Sequence, residues 1–167
     1  MSTGLEAVRE RMAEYLTEQG VRAVTAWPQG QRRELEAPVA VVSLRGCQVE
    51  PAGFQNYLGE RYNEKTGLWE ELYGRTAKLT FGLDLYAPAG GDGAELQEAF
   101  DALAAALMGG GPQGLEVLEF SCGETGYESQ ARLMKRPAQA VCQAWLYSTP
   151  QSDELFLDFE LRGGWKV

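Results

Sequence analysis

The residues weighed for chemistry are carboxylates and three cysteines, since the sequence contains no histidine. That absence removes the commonest general base and metal ligand, and every Ser-His or Cys-His nucleophile arrangement with it. Cys47, Cys122 and Cys142 form no close pair and no metal-ligand spacing. They read as small buried hydrophobes in a reducing compartment, without the partner that activates a thiol. The carboxylates Glu70, Glu71, Glu116, Glu119 and Glu124 fall at no spacing that suits paired acid–base work or a hard cation, and read as a solvated face. "AGGDGAEL" (Ala89 to Leu96) precedes a helix but lacks the P-loop lysine and the full dinucleotide pattern, so it reads as a turn with an N-cap. "SCGETG" (Ser121 to Gly126) has the outline of a nucleophile loop with no base to serve it, and reads as a hairpin turn. The expectation is therefore no enzyme, no cofactor and no metal.

The elements around these residues describe one domain, 1–167. Hydrophobic residues make up 44% and charged residues 23%, as in an ordinary globular protein, which argues against a disordered chain. A net charge of −9 argues against general or sequence-specific nucleic-acid binding and against an anionic membrane surface. No apolar run approaches the ~20 residues that cross a bilayer, and charges interrupt "MSTGLEAVRERMAEYL" where a signal peptide needs an apolar stretch. The expected place is the cytoplasm, or a larger particle assembled there.

A first helix is marked by a Thr3/Glu6 capping box, an apolar stripe of Leu5, Val8, Met12, Tyr15 and Leu16, and Gly20 as its stop. Strands are expected at Val21 to Trp27 and, buried on both faces, at Pro38 to Leu44, with a polar loop over Pro28 to Glu36 between them. A further strand alternates Ala77, Leu79, Phe81, Leu83 and Leu85 against Thr76, Lys78, Thr80, Asp84 and Tyr86, and ends at Pro88. Asp92 with Glu95 is expected to cap a second helix buried through Leu96, Phe100, Leu103 and Leu107 and ended by "MGGGPQG". Strands at Leu115 to Phe120, Ala138 to Tyr147 and Glu154 to Arg162 follow, the last beginning a C-terminal extension over 154–167. The fold class is α+β: one mainly antiparallel or mixed sheet, two helices packed on one face, and a protruding β-hairpin arm.

The arm, about 48–74, turns at Asn63-Glu64-Lys65-Thr66-Gly67. It carries more aromatic and aliphatic surface than a loop needs. Tyr57, Tyr62, Leu68, Trp69 and Tyr73 are candidate anchors of a subunit or tube contact, with Arg61, Lys65 and Arg75 placed to meet an acidic neighbour. The alternative folds the arm back over its own sheet, so that the same residues cover the core.

The order helix 1, "RAVTAWPQG", "PVAVVSLRGCQVE", a long loop, "TAKLTFGLDLYAP", helix 2 and a closing β-segment resembles the tail terminator proteins of long-tailed, lambda-like bacteriophages over about Leu5 to Tyr147. The arm "YLGERYNEKTGLWEELYGR" is similar to that of tail proteins from prophages and phage-tail-like particles. A longer arm and the extension "ELFLDFELRGGWKV" depart from the lambda-like pattern and leave siphophage, contractile phage and headless particle all open. The resemblance implies a ring of self copies, typically a hexamer, seated on the tail tube protein, halting tube growth and offering a surface to the head–tail connector. It implies assembly in the bacterial cytoplasm and residence in the virion or particle. Other roles remain: a neck, head-closure or baseplate-adjacent protein, or a stand-alone ligand-binding α+β domain.

Overall fold

In the order of the chain, the elements are α1 (Leu5–Glu18), β1 (Ala23–Val24), β2 (Val39–Pro51), β3 (Tyr57–Asn63), β4 (Leu68–Pro88), α2 (Ala94–Met108), β5 (Glu116–Cys122), β6 (Gly126–Glu128), β7 (Leu133–Arg136), β8 (Ala138–Ser148) and β9 (Glu160–Leu161). The structure, a computed structural model, describes residues 4–26, 35–51, 57–90, 93–130, 132–148 and 160–161. The fold is α+β, with a single mixed sheet.

The alternation expected from Ala77 to Leu85 is realised in β4, but the strand is longer than its pattern. It runs for 21 residues and takes in the second strand of the arm, Leu68 to Gly74. On one edge it pairs with β3 over Leu68 to Tyr73 and with β2 over Arg75 to Tyr86. On the other it pairs with β8 over Tyr73 to Gly82 and with β7 over Leu85 to Pro88. The arm proper is therefore β3 and the start of β4, since Gln48 to Pro51 belong to β2 and face Lys78 to Arg75. β1 lies outside β2 as the one parallel pairing among the described residues; β5 and β9 lie outside β8, and β6 outside β7.

Ala77, Leu79, Phe81, Leu83 and Leu85 are buried in one cluster with residues of both helices, so α1 and α2 share a face of the sheet. From α1 that cluster takes Val8, Met12, Ala13 and Leu16, while Leu5 lies outside it and is exposed. From α2 it takes Leu96, Leu103, Ala106 and Leu107, with Phe100 packed against it and stacked on Phe120 at 5.3 Å. The Tyr15 hydroxyl donates to the Ala106 carbonyl across 2.6 Å and joins the helices. Gly20 ends α1 as expected: at φ 86 its N–H donates to the Thr17 carbonyl while Val21 N–H donates to that of Leu16, the paired bonds of a Schellman motif.

Several local expectations are corrected. Among the described residues neither helix has a side-chain cap, and the N-cap residues are Gly4 and Gly93. Thr3 and Asp92 lie outside the described residues, and Glu6 pairs with Arg9 instead. β1 is two residues long, and the polar loop lies mostly outside the described residues, as does most of the C-terminal strand. β2 is buried at Val39, Ala40 and Val42 but only half-buried at Val41 and at Leu44, which packs against the edge of the core cluster. "SCGETG" joins strands that do not pair, since β5 binds β8 and β6 binds β7; it is a crossing between ladders and not a hairpin. Beyond it lies the β6–β7 hairpin, which no sequence pattern announced.

Two of the three cysteines are exposed, contrary to expectation. Cys47 falls in the half of β2 that runs out past the buried residues, and Cys122 is the last residue of β5. Cys142 is buried at the centre of β8, and burial pushes its thiol up to about 12. In native protein at neutral pH, a thiol reagent should modify Cys47 and Cys122 and reach Cys142 only after denaturant is added. Modification of all three at one rate without denaturant would contradict the packing of β8.

Candidate functional site

The arm turns through an Asx motif: the Asn63 carboxamide oxygen accepts the Lys65 N–H at 2.9 Å, and the Asn63 carbonyl accepts the Gly67 N–H at 2.8 Å. Gly67, at φ 69, supplies the left-handed residue that lets the chain return. Pairing then sets Tyr57 opposite Tyr73, Arg61 opposite Glu70, and Tyr62 opposite Trp69. The last two rings meet edge to face, 5.6 Å between centroids. Lys65 is exposed in the turn, away from these pairs. Arg75 is exposed but lies in the body of the sheet between Pro51 and Leu146, so it is not part of the arm.

The aromatic and aliphatic tip does not cover its own core. Tyr62 is 51% exposed, Leu68 64% and Trp69 67%, and none belongs to the core cluster. Cross-strand alternation puts Tyr62 and Trp69 on one face of the hairpin and Leu68 on the other, so the tip is apolar on both sides. That is a surface suited to insertion between partners.

A second constellation was not visible in the sequence. Asp84, placed by alternation on the face away from the helices, is the buried charged residue of the described chain. Its Oδ2 accepts from the Arg45 guanidinium at 2.6 Å and lies 3.9 Å from Lys135 Nζ; its Oδ1 accepts the Ala138 N–H at 3.3 Å. Lys135 also reaches Glu128 at 3.4 Å and lies over the Tyr86 ring.

Each partner is there for a local reason. Arg45 is the extra residue of a β-bulge between Leu44 and Gly46, which lays its side chain over Gly82 on the face away from the helices. A Cβ on Gly82 would clash with Ser43 Oγ and sit 2.5 Å from Arg45 Nε, so glycine there makes room for the guanidinium. Pro137 separates β7 from β8 and has no N–H of its own, and the Asp84 carboxylate takes up the N–H that follows it. Pro137 O in turn accepts the Gly123 N–H at 2.8 Å. With both oxygens engaged, Asp84 ties β4 to the bulge of β2 and to the start of β8.

Among the described residues, no group of three or more metal-ligating side chains comes together, and no helix is long and apolar enough to cross a membrane. Glu71, Glu116, Glu119 and Glu124 are exposed, as expected for a solvated face. No protein-family model and no curated protein matches this chain.

Asp84→Ala should destabilise the fold by about 2–4 kcal/mol, because it leaves Arg45 and a strand N–H without partners. Asp84→Asn keeps an acceptor for Ala138 and should lose less, about 1–2 kcal/mol. Urea titrations would rank them; equal stability of Asp84→Ala and the parent would contradict the role given to the carboxylate. Burial pulls the Lys135 ammonium down, but Tyr86, Asp84 and Glu128 outweigh it and hold it above its ordinary 10.5. A raised folded-state value means that Lys135 contributes fully below 10.5 and less as pH climbs through the folded value. Lys135→Gln should therefore cost stability at neutral pH and converge with the parent in strong alkali.

Proposed function

We propose that this chain is a structural protein of a phage or phage-tail-like particle: the tail terminator, a ring of self copies that caps the tail tube, stops its polymerisation and presents a surface to the head–tail connector. The observation that carries the reading is the arm, whose tip exposes Tyr62, Leu68 and Trp69 on both faces at the end of a strand anchored in the sheet. Aromatics displayed in this way are characteristic anchors of protein contacts.

The mechanism is geometric. A ring that imitates a tube subunit on one face and lacks the next docking surface on the other ends polymerisation without a reaction, cofactor or metal. An acidic wall suits a DNA conduit, since repelled DNA slides and is not held, and the chain carries a net charge of −9. The protein would assemble in the bacterial cytoplasm and remain in the tail or neck. A neck, head-closure or baseplate-adjacent protein of the same particle would bind its own neighbours and not tube ends, so co-purification with tube subunits separates the two.

Replacing Tyr57 to Tyr73 with a short Gly/Ser turn should leave unfolding cooperative, because β4 is held from Arg75 onward by β2 and β8. Tubes assembled in its presence should grow to uncontrolled lengths in electron micrographs. Trp69→Ala should cost ~2–4 kcal/mol of association and leave the melting temperature nearly unchanged. A protein that neither self-associates nor binds tube ends in light scattering would sink the terminator reading.

A further inference from the structure

One edge of β8 is shared by two strands that do not meet. β5 holds it from Ala138 to Gln143, and β9 holds it at Leu146 and Tyr147. Between them lie Ala144, fully buried, and the half-buried Trp145. Successive strand residues direct their N–H and C=O to opposite edges, so one of these two turns its backbone pair into the gap. Leu115, next before β5, gives its own N–H to the Pro112 carbonyl at 3.0 Å and not to this gap.

On the helix side of the gap, α2 ends at Met108, which at 84% is the most exposed of the large hydrophobic residues described. Gly109, Gly110 and Gly111 then carry the chain onto the start of β5. A Cβ on Gly111 would stand 2.8 Å from Val117 Cγ2 and 3.2 Å from the Leu115 carbonyl oxygen. Met108 is three residues from that contact, within about 11 Å. The glycines offer no side chain to cover it, and a Cβ on Gly110 would meet nothing within 4 Å. The last turn of α2 also has no basic residue.

We infer that residues 162–166 of the same chain fill the gap and cover this corner. Glu160 lies opposite Tyr147 and Leu161 opposite Leu146, so β9 heads toward β5 and its next residue, Arg162, falls opposite Trp145. Trp145 shares its face with Gln143 and therefore with Glu116, which sets Arg162 about 7 Å from Glu116 along one row. Past that point the edge is occupied and the chain must turn off; the sequence there is Gly163-Gly164. Trp165 follows, three residues and up to about 11 Å from Arg162. On one side it has Gln143, Lys78 and Glu116, and on the helix side Met108. The indole goes to the methionine, whose sulfur suits an aromatic ring. Lys166 then comes to the C-terminus of α2, where a cation is favoured.

Reach separates this segment from the chain's other aromatic and basic stretches. Trp27 also has two arginines after it, but it follows Ala26 beside β1 on the opposite edge of the sheet. Four strand spacings, about 19 Å, lie between β1 and β5, and one residue spans ~3.5 Å. Trp69 is nine positions along β4 from Lys78, the residue level with Glu116, and so about 30 Å away.

Methionine oxidation by dilute hydrogen peroxide, followed residue by residue by mass spectrometry on the native full-length protein, tests this. Met108 should react more slowly than a methionine in a short peptide. In Trp165→Ala, and in protein ending at Leu161, it should react roughly fivefold faster or more. Met12 is fully buried and should stay unreactive in every folded sample, so whichever variant keeps it protected decides. Met108 reacting at the peptide rate in the parent, or at one rate in the parent and the folded variant, overturns the inference. A parent rate that rises on dilution would make the covering segment a second copy's, and overturns it too.

Discussion

Main-chain hydrogen bonding along both edges of β4 is the constraint on which the rest depends. At ~3.3 Å per residue its 21 residues reach about 70 Å, far beyond an average strand. No partner follows it for its full length; β3 and β2 succeed one another on one edge, β8 and β7 on the other. The core sits where the helices cover the middle and end of the strand, and the arm is what remains past that cover. One strand thus carries the packed sheet out to a hairpin whose tip residues Tyr62, Leu68 and Trp69 lie outside the core cluster.

A strand that changes partners leaves backbone groups to satisfy at each change, and a buried unsatisfied N–H costs about as much as the bond it lacks. The change from β8 to β7 falls at Pro137, where Asp84 receives the Ala138 N–H. Burying that carboxylate is tolerable because Arg45 and Lys135 neutralise it. The β2 bulge supplies the arginine, and Gly82 leaves the space beneath it. Bulge, glycine, proline and aspartate form a single solution to one gap in hydrogen bonding.

The arm has the opposite character. Its turn is local, set by an Asx motif and one glycine, and Tyr62, Leu68 and Trp69 beside it are exposed. Exposed Tyr62, Leu68 and Trp69 contribute nothing to the monomer's core, so a partner can take them up without unfolding anything. Separating a stable sheet from a sticky extension is economical for a protein whose work is proposed to be assembly.

Local sequence determined the two helices and the inward face of β4 from Ala77 to Leu85 through periodicity, and the end of that strand at Pro88 and the turn at Asn63 to Gly67 through proline, asparagine and glycine, because each is written in neighbouring residues. The α+β class followed from their order. The full length of β4 was not legible: hydrogen-bonded pairing continues through Gly74 whether or not the side chains alternate. Nor was the exposure of Cys47 and Cys122, since a cysteine's burial depends on where cover ends and not on its own type. The Asp84 node escaped for the plainest reason. Arg45 and Lys135 lie 39 and 51 positions from it in sequence, and only the register of β2, β4 and β7 brings three charges and a strand break to one point. Local pattern fixes which residues face inward, but which distant charges must meet is decided when the strands find their partners.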